Sequence, residues 1–189
     1  LQAQAGTDPH DPFSTAPVTD LDSPLEQADL GSIKAMITPD LGSAAMSHAY
    51  SSIFADRTSH FRHHFAAAID ASPDFTDGDN CFEVLRGVNF VAAHGGRVRD
   101  HRDSLSPNVV DNVDRGLAYS LADVAEAHLQ QSCIARAWLD LFEDIDVVIC
   151  PAASSTPFPH DQWSVSEIDG ETMETYMRWL GITYLPTMA

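Results

Sequence analysis

Three histidines, His60, His63 and His64, stand together in the segment HFRHH. On a helix, the four-residue spacing would set two imidazoles on one face, as a divalent metal requires. No carboxylate at a fixed local spacing completes such a set, so solvated surface histidines are the competing reading. A second chemistry needs a nucleophilic hydroxyl beside a base. Serines are abundant, but the single lysine, Lys34, lies in the strand-like run SIKAMIT, where a charged side chain is expected to face solvent. Cys81, Cys133 and Cys150 stand singly among apolar neighbours, with no zinc-like or disulfide-like pairing, and all three are expected to be reduced core residues. The sequence holds no GxSxG elbow, no GxxxxGKS or GxxxxGKT phosphate loop, no GxGxxG turn and no HExxH helix.

The stretch FEDIDVVICPAASSTPFPHDQ, residues 142–162, is chemically the more suggestive one. Its DVVIC core, Asp146 to Cys150, is short, β-branched and apolar without polar alternation, which predicts a strand buried on both faces of an α/β sheet. A loop from Pro151 to Gln162 follows, longer and richer in proline, serine and threonine than a plain connection needs. Open α/β sheets place ligands beyond the carboxyl ends of their strands, so this loop is either a pocket wall or a proline-stiffened cover for the core.

The elements that must position these residues can be read along the chain. Residues 1–30 carry GTDPHDPFSTAP and further Asp and Pro, which is irregular connecting chemistry. Ser32 to Thr38 predicts a strand, Pro39 to Gly42 a turn, and the spacing of Met46, Tyr50, Ile53 and Phe54 a helix over Ser43 to Ser59. Phe65 to Asp70 is ambiguous: its three alanines favour helix, while a short apolar run ended by Pro73 suits a strand. Asp77 or Asp79 predicts the cap of a helix bearing Phe82, Leu85, Val88 and Val91 and stopped by Gly95 and Gly96. Ser106 and Pro107 open a helix that closes near Gly116. Ser120 with Asp123 forms a variant capping box before a long helix bearing Ala125, Leu129, Cys133 and Leu141.

Bulk composition narrows the function classes. A chain of 189 residues, 44% apolar and 20% charged, can bury one sizeable core. A net charge of -18 with one lysine excludes phosphate-backbone binding, so nucleic acid is not an expected partner. No run approaches the length of a membrane span and no basic-then-apolar leader is present, which together predict a soluble, cytoplasmic protein without a membrane partner.

The blocks GTDPHDPFS, IKAMITPDLG, ASPDF, SLADVAEAHLQQ, FEDIDVVICPAASSTPFPHD and VSEIDGETMETYMRWLGITYLPT, in this order, resemble the later part of the amidase signature family of Ser-cisSer-Lys amidohydrolases. DVVICPAASSTPFPHD together with EIDG and YMRWL carries most of the resemblance, which extends over the whole chain. It implies an α/β fold with a mixed central sheet flanked by helices, in incomplete form. It also implies carboxamide hydrolysis through an acyl-enzyme, and often a dimer.

The same resemblance implies that the lysine, both serines of the glycine- and serine-rich signature and the oxyanion backbone precede Leu1. LQAQAG resembles the end of the helix that follows that signature. After Ala189 the family continues into a glycine- and proline-containing strand region.

The chain is therefore expected to be the later portion of one amidase domain, 1–189, with no catalytic residue, metal or cofactor of its own. A small-molecule amide would be the substrate of the full enzyme, and a homo-oligomer or the missing half the expected association. The family's order of helix, strand and proline assigns Phe65 to Asp70 to a strand. Its loops near the active site favour the pocket-wall reading of Pro151 to Gln162, with Phe158, Trp163, Tyr176 and Trp179 as candidate substrate contacts or, singly, as core. A non-catalytic binding or assembly module and a metal hydrolase on His60, His63 and His64 are the alternatives.

Overall fold

The computed structural model describes residues 6–10, 14–16 and 27–188. The expectations for LQAQA and for most of the irregular segment 1–30 lie outside those residues. Strand β1 (Lys34–Ile37) is the centre of a three-stranded sheet, with β2 (Ala67–Asp70) on one side and β3 (Val147–Ile149) on the other. Both pairings are parallel, with Met36 opposite Ile69 and Val148. The sheet of the described residues is thus parallel, where a mixed sheet was expected. The one antiparallel pair is a separate ribbon of β4 (Glu167–Ile168) and β5 (Glu171–Thr172).

Helix α1 (His48–Phe61) begins later than the Ser43 expected from periodicity, because Ser47 accepts a hydrogen bond from the Tyr50 N–H and sets the first turn there. Ahead of it, Leu41 and Gly42 turn the chain through positive φ, and Ala44 and Ala45 are buried in the irregular segment that follows. A 3-10 turn, Arg62–His64, separates α1 from β2, so Phe65–Asp70 delivers a strand despite its alanines. The register against β1 decides what propensity left open.

Helix α2 (Gly78–His101) runs through Gly95 and Gly96, where a stop was expected. Val98 is buried beyond them, and Arg102 pairs with Asp114 of α3 (Pro107–Ala118), so tertiary contacts hold the last turns. Helix α3 closes at Ala118, near Gly116 as expected. Gly116 lies in its last turn against Gly87 of α2, where an added Cβ would collide with the Gly87 carbonyl.

The capping box forms as expected at α4 (Leu121–Leu141): Ser120 accepts from the Asp123 N–H while the Asp123 carboxylate accepts from the Ser120 N–H. The core lies between α2, α4 and the short α5 (Gly181–Tyr184), built on Val84, Ile134, Trp138, Ile182 and Leu185. Cys81 is inside it and Cys150 packs against it half-buried, whereas Cys133 is exposed on α4, contrary to the expectation of a core position. No helix among the described residues is long and apolar enough to cross a membrane.

Candidate functional site at the carboxyl end of the sheet

The three strands end together, and hydroxyl groups join their ends. Thr38, directly after β1, is fully buried; its N–H donates to the Ile149 carbonyl at 3.0 Å. Its hydroxyl lies 2.9 Å from the Ser72 hydroxyl, just beyond β2, and accepts from the Leu41 N–H at 3.0 Å. Past β3 the chain enters the loop from Pro151 to Gln162, where the Ser154 carbonyl accepts from the Ser47 N–H at 2.8 Å. The loop is thereby fastened to the start of α1. The Ser154 hydroxyl is buried and has no partner among the described residues, a cost that leaves an unused polar group at this end of the sheet.

The β4–β5 ribbon closes on the same place. Asp169, in the left-handed conformation at the turn with Gly170, accepts from the His48 N–H at 2.5 Å through its carboxylate. A carboxylate at the first turn of α1 satisfies an otherwise free N–H and complements the helix dipole. The Asp-Gly pair is a hairpin signal visible in sequence. Its second role as a cap for a helix 121 residues away is not.

The candidate aromatic residues divide. Phe158 and Trp179 meet edge to face at 5.5 Å, over a small apolar cluster of Ala45, Val165, Ile168 and Met173. Trp163 stands 68% exposed. Tyr176 lines a different recess, between α2 and α3, with Glu83, Arg86 and Arg115. Trp179 is held indirectly: Arg178 pairs with Asp79 at the start of α2, and the buried Tyr184 hydroxyl donates to the same carboxylate. Burial pushes the Tyr184 phenol up, and the neighbouring Arg178 offsets only part of that.

Among the described residues no lysine or histidine bonds these hydroxyls; the Asp40 carboxylate accepts from that of Ser72 at 3.4 Å. Lys34 is exposed at the opposite end of β1, four residues before Thr38 and so roughly 13 Å away along an extended chain. Burial pushes the Cys150 thiol up, which disfavours the reactive thiolate at the end of β3. The histidines do not form the helical pair considered above. His60 closes α1 and bonds the Asp56 carbonyl at 2.6 Å, while His63 and His64 belong to the 3-10 turn. Among the described residues no group of three or more His, Cys, Asp or Glu side chains is arranged to hold a metal.

No protein-family model and no curated relative matches this sequence. Solved structures do. A bacterial aryl acylamidase of the amidase signature family superposes on 97% of this chain with a TM-score of 0.79 and 17% identity. The fold is that of an amidase signature enzyme. A second structure, an amidase, superposes on 87% of the chain with a TM-score of 0.71 and 16% identity. The matches cover 40% and 37% of those chains, so this chain spans about two fifths of the amidases whose fold it shares. The family that the ordered sequence blocks resemble is the one to which the aryl acylamidase belongs.

Proposed function

We propose that this chain is the later portion of an amide hydrolase, in which it supplies scaffold and one wall of the acyl pocket. The observation that carries the reading is the superposition of 97% of the chain on 40% of an aryl acylamidase. The position of Pro151 to Gln162, beyond the carboxyl end of a parallel sheet, supports the pocket-wall role. So does the Phe158–Trp179 pair, an apolar surface of the kind that receives an acyl group. Trp163 and Tyr176, which do not join that pair, belong to the proposal only as outlying contacts.

In this reading the nucleophilic serine, a second serine and the activating lysine precede Leu1. The serine attacks the carboxamide carbon, the amine leaves, and water releases the acid from the acyl-enzyme. Acylated arylamines are the substrate class to try first, by analogy with the acylamidase neighbour. The strands β2 and β3 each leave one edge unpaired among the described residues, which supports association of this chain with the preceding half or with a second copy.

The test is anilide hydrolysis by the complete protein and by the purified 189-residue chain, each with and without Lys34→Ala. Turnover by the complete protein alone, unchanged by the substitution, is expected. Turnover by the isolated chain that disappears with Lys34→Ala would overturn the assignment. Absence of amide hydrolysis in the complete protein would favour a non-catalytic module.

A further inference from the structure

A cleft of about 410 Å³ lies between α2, α4 and the segment at Thr187 and Met188, a volume in the range of small-ligand pockets. None of its lining residues comes from the loop 151–162, so it is distinct from the acyl wall proposed above. Phe82, Leu85, Phe90 and Met188 make it largely apolar, and Arg86 is the one permanently charged group in its lining, which also holds His128.

Arg86 is unusual in its company. In a chain with 28 acidic residues, Arg57, Arg62, Arg99, Arg102, Arg115 and Arg178 each pair with an aspartate, while Arg97 and Arg136, which have no such pair among the described residues, are exposed. Half-buried Arg86 has no carboxylate within ion-pair reach among the described residues. Its partners are neutral. The guanidinium carbon lies 4.4 Å from the centre of the Phe90 ring and 5.9 Å from that of Phe82. Its Nε donates to the Asn112 side-chain oxygen at 3.0 Å, and Asn112 is itself anchored by donating to the Asn108 carbonyl at 2.7 Å. Burial pulls the Arg86 pKa down from its usual value, the mark of a charge short of stabilisation.

With Nε occupied and the planar face resting on rings, the two terminal nitrogens remain for an end-on, two-point acceptor. We infer that this cleft binds a small monocarboxylate with an aromatic or aliphatic body, its carboxylate on Arg86 and its body against Phe82, Leu85 and Met188. A phosphate dianion fits less well, because the lining offers Arg86 as its single permanent cation in a strongly acidic protein.

The test uses isotope-labelled full chain titrated with benzoate and, separately, with the neutral benzamide of the same shape, followed by the Arg86 Nε–H resonance. A charge-assisted hydrogen-bond pair discriminates by roughly tenfold to a hundredfold, so benzoate should bind at least tenfold tighter than benzamide. Arg86→Met should abolish the preference. Gln131→Glu, which sets a carboxylate into the cleft as an internal competitor while keeping Arg86, should abolish it too and decides the matter if Arg86→Met does not fold. Equal affinity for benzoate and benzamide, or benzoate binding untouched by Gln131→Glu, would overturn the site.

Discussion

The layer formed by α2, α3 and α4 and the mouth formed by residues 150–180 are secured in opposite ways. In the layer, backbones approach until Gly87 and Gly116 touch, and Val84, Val113 and Ile134 are all but inaccessible. In the mouth, the regular structure is two strands of two residues each and one 3-10 turn, and the fastenings to the helices are individual polar contacts: Ser47 to Ser154, His48 to Asp169, Thr175 to Glu83 and Arg178 to Asp79. Among the described residues the Ser154 hydroxyl and the Trp179 indole N–H are buried without partners in the mouth, and the Trp138 indole N–H is so in the layer. Close packing makes the layer intolerant of volume change, whereas a lightly fastened surface can be reshaped at small cost in stability. A scaffold with an adaptable rim is what substrate selection by loop variation needs.

If that contrast is right, the largest losses of stability come from the layer. Ile134→Ala removes a side chain that is 1% exposed in the core and should cost about 3 kcal/mol in denaturant unfolding. A loss no greater than that of a surface substitution would break the contrast at its strong end. Gly116→Ala comes next, at about 2 kcal/mol, since the new methyl meets backbone and cannot displace a flexible side chain.

Ser120→Ala should cost about 1 kcal/mol by opening the cap of α4. The partner in that cap adds a pH signature. The Ser120 backbone N–H and then its hydroxyl hold the Asp123 carboxyl below its ordinary value. A depressed folded-state pKa stabilises above the unfolded value of about 4 and ceases to do so as pH falls through the folded one. Asp123→Asn should therefore destabilise more at pH 7 than at pH 3, as read by thermal unfolding at both values.

Smallest in stability is Asp169→Asn, which keeps the turn and an acceptor but removes the charge at the start of α1. Its expected cost is about 0.5 kcal/mol. Amide exchange should quicken at Ile168 and His48 and stay unchanged at Ile134, a pattern that would sharpen the division into two regions. Uniformly faster exchange would erase it.

The layer was also the more legible region. Short-range signals such as the Ser120–Asp123 box and the proline at the start of α3 act within one turn and stand in the structure as read. Gly95 and Gly96 misled because a neighbour beyond them, Val98 in the core, decides the helix end and not the glycines' own flexibility, whereas α3 does close near Gly116. The strand character of residues 67–70 was legible through the order of elements and illegible through alanine propensity. DVVIC was expected to be buried on both faces, yet as an edge strand among the described residues β3 is half-buried throughout.

At the mouth, the loop's place beyond a strand could be inferred, but its partners could not. Trp179 meets Phe158, and Asp169 meets His48, across separations that no local spacing encodes. Arg86 carries no signal of its own in the sequence. Its lack of a carboxylate partner is a property of the packed molecule alone.

The most direct test of the central claim, that the loop from Pro151 to Gln162 shapes an acyl pocket while the helices carry stability, is Phe158→Ala in the complete protein. Anilides of increasing acyl length would be compared by kcat/KM, with the melting temperature recorded alongside. The account predicts at least a tenfold change in the ratio of long to short acyl groups, with less than half the loss of melting temperature caused by Ile134→Ala. An equal loss on every anilide, accompanied by a melting-temperature drop matching that of Ile134→Ala, would contradict it.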